Sequence, residues 1–157
     1  GEAHMSLPKS LEASLGVRYL QFDENKTTLL TGSVTWYTGN YYLSYRPYVN
    51  PGASGGSSFS NTFAVRRYFK DKDNYLSFDF GFGFSPELTQ LTEENVLLSE
   101  TLLYLESQSV SFGYNFTSKK HESPIGITLG FNRQELVFDP GNFYFSVTGR
   151  INYAIKL

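Results

Sequence analysis

The stretch Asn74–Phe84, NYLSFDFGFGF, constrains the chain more than any other. Leu76, Phe78, Phe80, Phe82 and Phe84 fall on one parity, and Ser77, Asp79, Gly81 and Gly83 on the other. Side chains on a strand alternate between two faces, so one face here is large and apolar and the other small or polar. In a soluble sandwich the apolar face meets a core and Ser77 and Asp79 meet water. In a membrane barrel the same apolar face meets lipid and the small face lines a lumen. The remaining segments discriminate between the two.

The chain has 157 residues, enough for one domain with a sizeable core. Gly1–Met5, GEAHM, resembles a vector-derived scar and is set aside, leaving 6–157 as one barrel domain, compatible with a longer natural chain. Cysteine is absent, which excludes a disulfide framework and thiolate metal sites. A net charge of −2 gives no basic footprint for nucleic acid. Aromatics make up 17% of the chain, yet the mean hydropathy is −0.30. That combination suits a lipid-facing band around a polar interior. No apolar run is long enough for a transmembrane helix.

Seven further segments alternate in the same way. They are 11–22, 27–37, 41–49, 59–70, 108–116, 125–133 and 143–157. With 75–84 they predict eight strands, the even number of an antiparallel up-and-down transmembrane β-barrel. Most reach the roughly 9–11 residues a tilted span needs, longer than the usual sandwich strand. Their polar parity carries mainly Ser, Thr, Gly and Asn, where a solvated sandwich face favours Lys and Glu. Asn50–Ser57, NPGASGGS, has loop composition. Pro47 has no N–H and predicts a ladder interruption. Residues 85–107 fit either a helical period or two strands extended beyond the membrane.

Charges on the inward parity predict an interior network of Glu12, Arg18, Arg46, Arg66, Asp79 and Arg150, with Lys156 on the same parity. A hairpin about Asp71–Asn74 places Asp79 opposite Arg66, with Arg46 as a second donor. The competing interpretation is a solvated charged face on a sandwich. The lipid-facing set includes Leu76, Phe78, Phe80, Phe82, Ile127, Leu129, Val147 and Ile151. Trp36, Tyr41, Tyr75, Tyr114 and Tyr153 lie near strand ends at one depth, as an aromatic girdle does. Arg67 falls on the apolar parity and must sit near an interface, where its charge can snorkel. With periplasmic termini, connections 23–26, 50–57, 85–107 and the one ending at 139–142 face outward, and 38–40, 71–74 and 117–124 face the periplasm.

Three segments together, Gly39–Tyr48 (GNYYLSYRPY), Phe63–Phe69 (FAVRRYF) and YLSFDFGFGFSPE, resemble the YaiO-type bacterial outer-membrane β-barrel. The resemblance runs from Leu11 to the C-terminus. It implies the outer membrane of a Gram-negative bacterium, and some members carry periplasmic helical repeats ahead of the barrel. It brings no catalytic residues. Tyr153, Ile155 and Leu157 resemble the C-terminal signal read by the barrel-insertion machinery, departing in a final Leu where such signals end on an aromatic. A more distant resemblance is to barrels that export exopolysaccharide.

The residues offer little catalytic chemistry. Outside the scar, His121 is the one histidine, and it lies in a polar turn. No rim histidine is placed to pair with Asp or Ser. Metal ligation is poor, and Glu93 and Glu94 read as a solvated acidic patch. A carboxylate-only enzyme would have to use Glu87, Glu93, Glu94 or Glu100. The expectation is therefore no enzyme and no cofactor. The expected partners are the bilayer and its lipopolysaccharide, the insertion machinery and a periplasmic partner or domain. The expected role is a self-plugged barrel serving as anchor, scaffold or surface binding module. The alternative is a pore or part of a polysaccharide export system.

Overall fold

The computed structural model describes residues 1–22, 25–53, 56–69, 71–93, 96–117 and 123–153. They form nine strands: β1 (Glu2–Leu7), β2 (Leu11–Phe22), β3 (Asn25–Thr38), β4 (Tyr41–Ala53), β5 (Gly56–Tyr68), β6 (Tyr75–Glu93), β7 (Val96–Thr117), β8 (Pro124–Leu136) and β9 (Asp139–Tyr153). Each strand pairs antiparallel with its sequence neighbours in one up-and-down sheet ordered β1 to β9. No helix occurs among the described residues.

The alternation predicted from sequence sets the two faces. One face carries exposed apolar groups, among them Leu15 (77%), Phe112 (52%), Ile127 (47%) and Ile151 (76%). The other carries the buried polar groups, including Ser14 (4%), Thr31 (5%) and Thr35 (8%). Leu105 is the one buried hydrophobic residue among those described. A water-soluble domain buries its large apolar groups. This sheet does the reverse, so its apolar face is built for hydrocarbon, and no second sheet covers it among the described residues. The sandwich alternative therefore fails.

The polar face is concave. Arg46 on β4 reaches Glu2 on β1 at 2.9 Å although β2 and β3 lie between them. Three strand spacings amount to roughly 14 Å in a flat sheet, so the ion pair requires the sheet to curl around its polar side. Small groups permit the curl. At Gly113, a Cβ would fall well inside contact distance of the Ser77 hydroxyl.

The outcome differs from the eight-stranded closed barrel in two respects. The eight strands expected from sequence correspond to β2–β9. The ninth, β1, is formed by the segment set aside as a scar together with Ser6 and Leu7. Its register explains this: Glu2, His4 and Ser6 oppose Gly16, Ser14 and Glu12 on the polar face, while Ala3, Met5 and Leu7 oppose Leu15, Ala13 and Leu11. The sheet is also open, since β1 and β9 are its two edges.

Two ends can be distinguished. The short-turn end carries the connections at 8–10, 39–40 and 69–74. The opposite end carries a long hairpin. Beyond the last β5 pairing at Gly83, β6 continues to Glu93, and β7 starts at Val96 against it. The described residues of the segment that fitted either helix or strand are thus strand, and β6 runs roughly 30 Å beyond its last pair with β5 at about 3.4 Å per residue. The expected loop at 50–57 is likewise narrower, because β4 runs to Ala53 with a register shift after Asn50. The β3–β4 ladder lapses opposite Arg46 and Pro47, and the Thr31 hydroxyl donates to the Pro47 carbonyl at 3.4 Å.

Candidate functional site

The concave face is the candidate site. Its short-turn end is layered with tyrosine. Tyr42 on β4 and Tyr75 on β6 flank Arg66 on β5, with the guanidinium carbon 5.2 and 5.4 Å from their ring centres. Tyr37 packs edge-on against Tyr42 at 5.4 Å, and Tyr68 packs tilted against Tyr75 at 5.3 Å. The Tyr37 hydroxyl donates to Glu12 at 3.5 Å. Aromatic faces attract a guanidinium by about 2 kcal/mol when desolvated. That attraction accounts for a half-buried arginine with no carboxylate partner among the described residues, its Nε buried without a hydrogen bond.

Register decides which interior charges meet. Arg66 lies opposite Ser77, and Asp79 lies opposite Ala64. The expected Arg66–Asp79 pair is therefore two residues out of register: β6 still starts at Tyr75, but its partner there is Tyr68, so the turn takes two more residues on the β5 side than a hairpin closing on 71–74. Asp79 instead accepts from the Ser111 hydroxyl at 3.3 Å. Arg46, expected as a second donor to Asp79, pairs with Glu2, which also accepts from Ser14. Arg18 and Arg150 are exposed, with Arg150 opposite Thr128. Asp79→Ala is accordingly expected to cost about 1 kcal/mol or less, one hydrogen bond. Denaturant unfolding in detergent micelles checks this, and a loss of several kcal/mol would restore the interior ion pair.

The convex face sorts by depth. Leu76, Phe78 and Phe82 on β6, Ile127 and Leu129 on β8, and Val147 and Ile151 on β9 are exposed on it, and Phe80 is partly covered there. Trp36, Tyr41, Tyr114 and Tyr153 are exposed on it toward the short-turn end. Tyr75 is the exception to the expected girdle: it shares the parity of Ser77 and faces inward onto Arg66. Arg67 lies on the convex face beside the rings of Tyr41 and Phe69, at 5.8 and 5.7 Å. At the opposite end the apolar parity turns charged. Arg133 pairs with Glu106 at 3.3 Å and covers the Phe143 ring at 3.4 Å. From Tyr114 to Glu106 is roughly 20 Å along the barrel normal, given the usual rise and tilt. An apolar belt of that height, bounded by aromatics below and charges above, is the profile of a membrane-spanning barrel wall. The family model described as YaiO membrane beta barrel domain matches residues 1–88.

The chain belongs to the YaiO membrane β-barrel family. No curated protein and no solved structure matches it. The match begins at residue 1 and so includes β1. Within this YaiO barrel domain, sequence reasoning missed Glu2 as an interior group, while Tyr42 and Tyr68 lie on the inward parity that the alternation assigns them. The signal for Glu2 was present: residues 2–7, EAHMSL, alternate polar and apolar like the other strands. For Tyr75 the signal was its parity, since it falls with Ser77 and Asp79.

The charged rim also anchors the β8–β9 turn. Glu135 accepts from the backbone N–H of Gly141 at 2.9 Å and of Glu106 at 3.2 Å. These donors hold its carboxyl below the ordinary carboxylate range. A depressed folded value means the anchoring is fully present above the unfolded carboxylate pKa and fades as pH falls through the folded one. Amide-exchange protection at Gly141 should therefore drop severalfold in acid. Glu135→Gln should remove that pH dependence; an unchanged profile would show that the carboxylate does not hold the turn.

Among the described residues, no cluster of three or more His, Asp or Glu is arranged to hold a metal. His121, Glu94 and Lys156 lie outside the described residues, and Glu87, Glu93 and Glu100 are placed in strands by backbone alone.

Proposed function

We propose that this YaiO domain is a closed, self-plugged barrel of the bacterial outer membrane, serving as an anchor, scaffold or surface binding module. The observation that carries this reading is the tyrosine–arginine layer. Four rings and a guanidinium converge at one end of the polar face, where an open channel would keep a water-filled passage. An eight-stranded barrel is just wide enough to be filled by its own side chains. In this reading the short turns face the periplasm and the long β6–β7 hairpin reaches the cell exterior, as longer connections in such barrels do. The bilayer with its lipopolysaccharide, the insertion machinery and a periplasmic partner or domain are its partners, and it has no catalytic or nucleic-acid role.

A second reading is a pore or an element of polysaccharide export. It is favoured by a cavity of about 190 Å³ toward the hairpin end, whose lining includes Ser60, Thr62, Gly81, Gly83, Ser107 and Ser109. Small hydroxyl groups leave a lumen open above the plug. Ion conductance of the refolded protein in a planar lipid bilayer separates the two. Insertion without current steps is expected, and Arg66→Ala combined with Tyr42→Ala should produce them. Discrete steps in the unmodified protein would favour the pore.

A further inference from the structure

The two edges of the sheet run the same way. From Glu2 to Leu7, β1 descends toward the short-turn end, and from Asp139 to Tyr153 so does β9. Nine alternating strands make this unavoidable. The edges therefore cannot join as an antiparallel pair. A second copy inserted in the same orientation does not help, because it presents the same two edges with the same direction. β2 runs the opposite way, and β2–β9 is an even set of eight.

The edge of β2 that β9 would need is occupied by β1. Six residue pairs hold it there, from Leu7↔Leu11 to Glu2↔Gly16. Gly1 and Val17 exchange two further hydrogen bonds at 2.8 and 2.9 Å. Hydrocarbon does not tolerate bare backbone donors and acceptors, so the described sheet, with β1 and β9 as its two edges, leaves the wall incomplete in a bilayer. In water β1 guards an edge of β2 that would otherwise template pairing with another chain.

Strand β9 fits this edge. It has 15 residues against the 12 of β2. Its apolar parity (Phe145, Val147, Ile151, Tyr153) would continue that of Leu11, Leu15 and Val17. Its polar parity would bring Arg150 to the concave side at the end where β2 carries Glu12. Arg150 has no ion-pair partner among the described residues, and Glu12 has the distant Tyr37 hydroxyl.

We propose that β1 is a displaceable cover of the seam: on entry into the bilayer β9 replaces it on β2, closing an eight-stranded antiparallel barrel. The exchange gives up the Glu2–Arg46 pair and completes the backbone ladder across the membrane. It rests on the closed-barrel reading above.

The chain has no cysteine, so paired cysteines report the seam directly. Leu15→Cys is combined in turn with Ala3→Cys, its partner on β1, and with Val147→Cys, Gly149→Cys or Ile151→Cys on β9. Ala3→Cys is also combined with each β9 cysteine. The full chain is folded into phosphatidylcholine vesicles, insertion is scored first by protease protection, and oxidative cross-links are read by gel mobility. In inserted protein, a link between Leu15→Cys and at least one β9 position is expected, with the link to Ala3→Cys reduced at least tenfold. A persisting Ala3–Leu15 link overturns the proposal, as does a link between Ala3 and β9, which would mean a parallel seam. So does a β9 that links to neither strand, which would mean a further strand in the wall. Protein that fails to insert at all overturns the closed-barrel reading itself, before any cross-link is examined. A Met5→Cys, Ala13→Cys pair, also in register on β1 and β2, repeats the measurement should Leu15→Cys fold poorly.

Discussion

Phe112→Arg should cost about 1–2 kcal/mol of stability in a bilayer, the expense of a guanidinium partway between the midplane and one interface of a barrel wall. Phe112 is 52% exposed on the convex face and packs beside Phe78 at 5.0 Å, with Leu129 its register partner on β8. It lies two residues from the Tyr114 row and six from Glu106, about a quarter of the way into the belt, so the guanidinium would reach part of the way back to the girdle. The size of the effect separates the two environments. At an exposed position in water a substitution of this kind is usually worth within about 0.5 kcal/mol. Phe112→Leu supplies the reference, since it keeps a lipid-compatible group. Denaturant unfolding of vesicle-inserted protein gives both numbers. A neutral Phe112→Arg would mean that this face does not meet hydrocarbon, and the membrane assignment of the wall would fall with it.

That face was legible because its code is short-range. A period of two survives any error in strand ends, so Leu76–Phe84 and its seven counterparts could be assigned without knowing what they pair with. The interior was harder because it depends on register. Asp79 and Arg66 share a parity and adjacent strands, yet a two-residue offset at the turn sends one to Ser111 and the other between Tyr42 and Tyr75. Nothing local fixes that offset. The turn is held by Asp71 accepting from the Asp73 N–H and the Asn74 side chain, a geometry several registers share. Tyr75 shows a different limit. Depth along the strand suggested a girdle position, and parity, the stronger rule, placed it inside. β1 shows a third limit: residues 1–5 have the composition of a vector-derived scar, yet residues 2–7 alternate like the other strands.

Close approach of neighbouring strands leaves the inner wall little room for large groups at the hairpin end. Where β6 crosses β5, the lumen side is made of Gly81 and Gly83, and a Cβ at Gly81 would crowd the Ser109 hydroxyl. A shift in one strand there is transmitted to its neighbour through direct contact rather than through a soft core. The wall is therefore most sensitive where backbone meets backbone.

Gly83 is that place, and Gly83→Val should be the most damaging interior substitution, at about 3 kcal/mol or more. Its φ is +132°, a region L side chains rarely adopt. A Cβ there would overlap the Phe59 carbonyl oxygen and the Ser60 Cα, both backbone atoms that cannot swing aside. Gly83 is also the last β6 residue paired with β5 before the long hairpin departs. Relief of the overlap must therefore either push β5 outward or break the pairing at Ser60. Either route should fray the hairpin end first, leaving the tyrosine–arginine layer at the far end intact. Amide exchange in vesicles resolves this: protection near Ser60 should collapse while that at Arg66 and Tyr68 persists. Gly83→Ala should show the same pattern with a smaller loss, because the φ strain and the overlap both begin at Cβ. Uniform destabilisation along β5 would mean that the wall melts as one unit and that Gly83 sets its global stability.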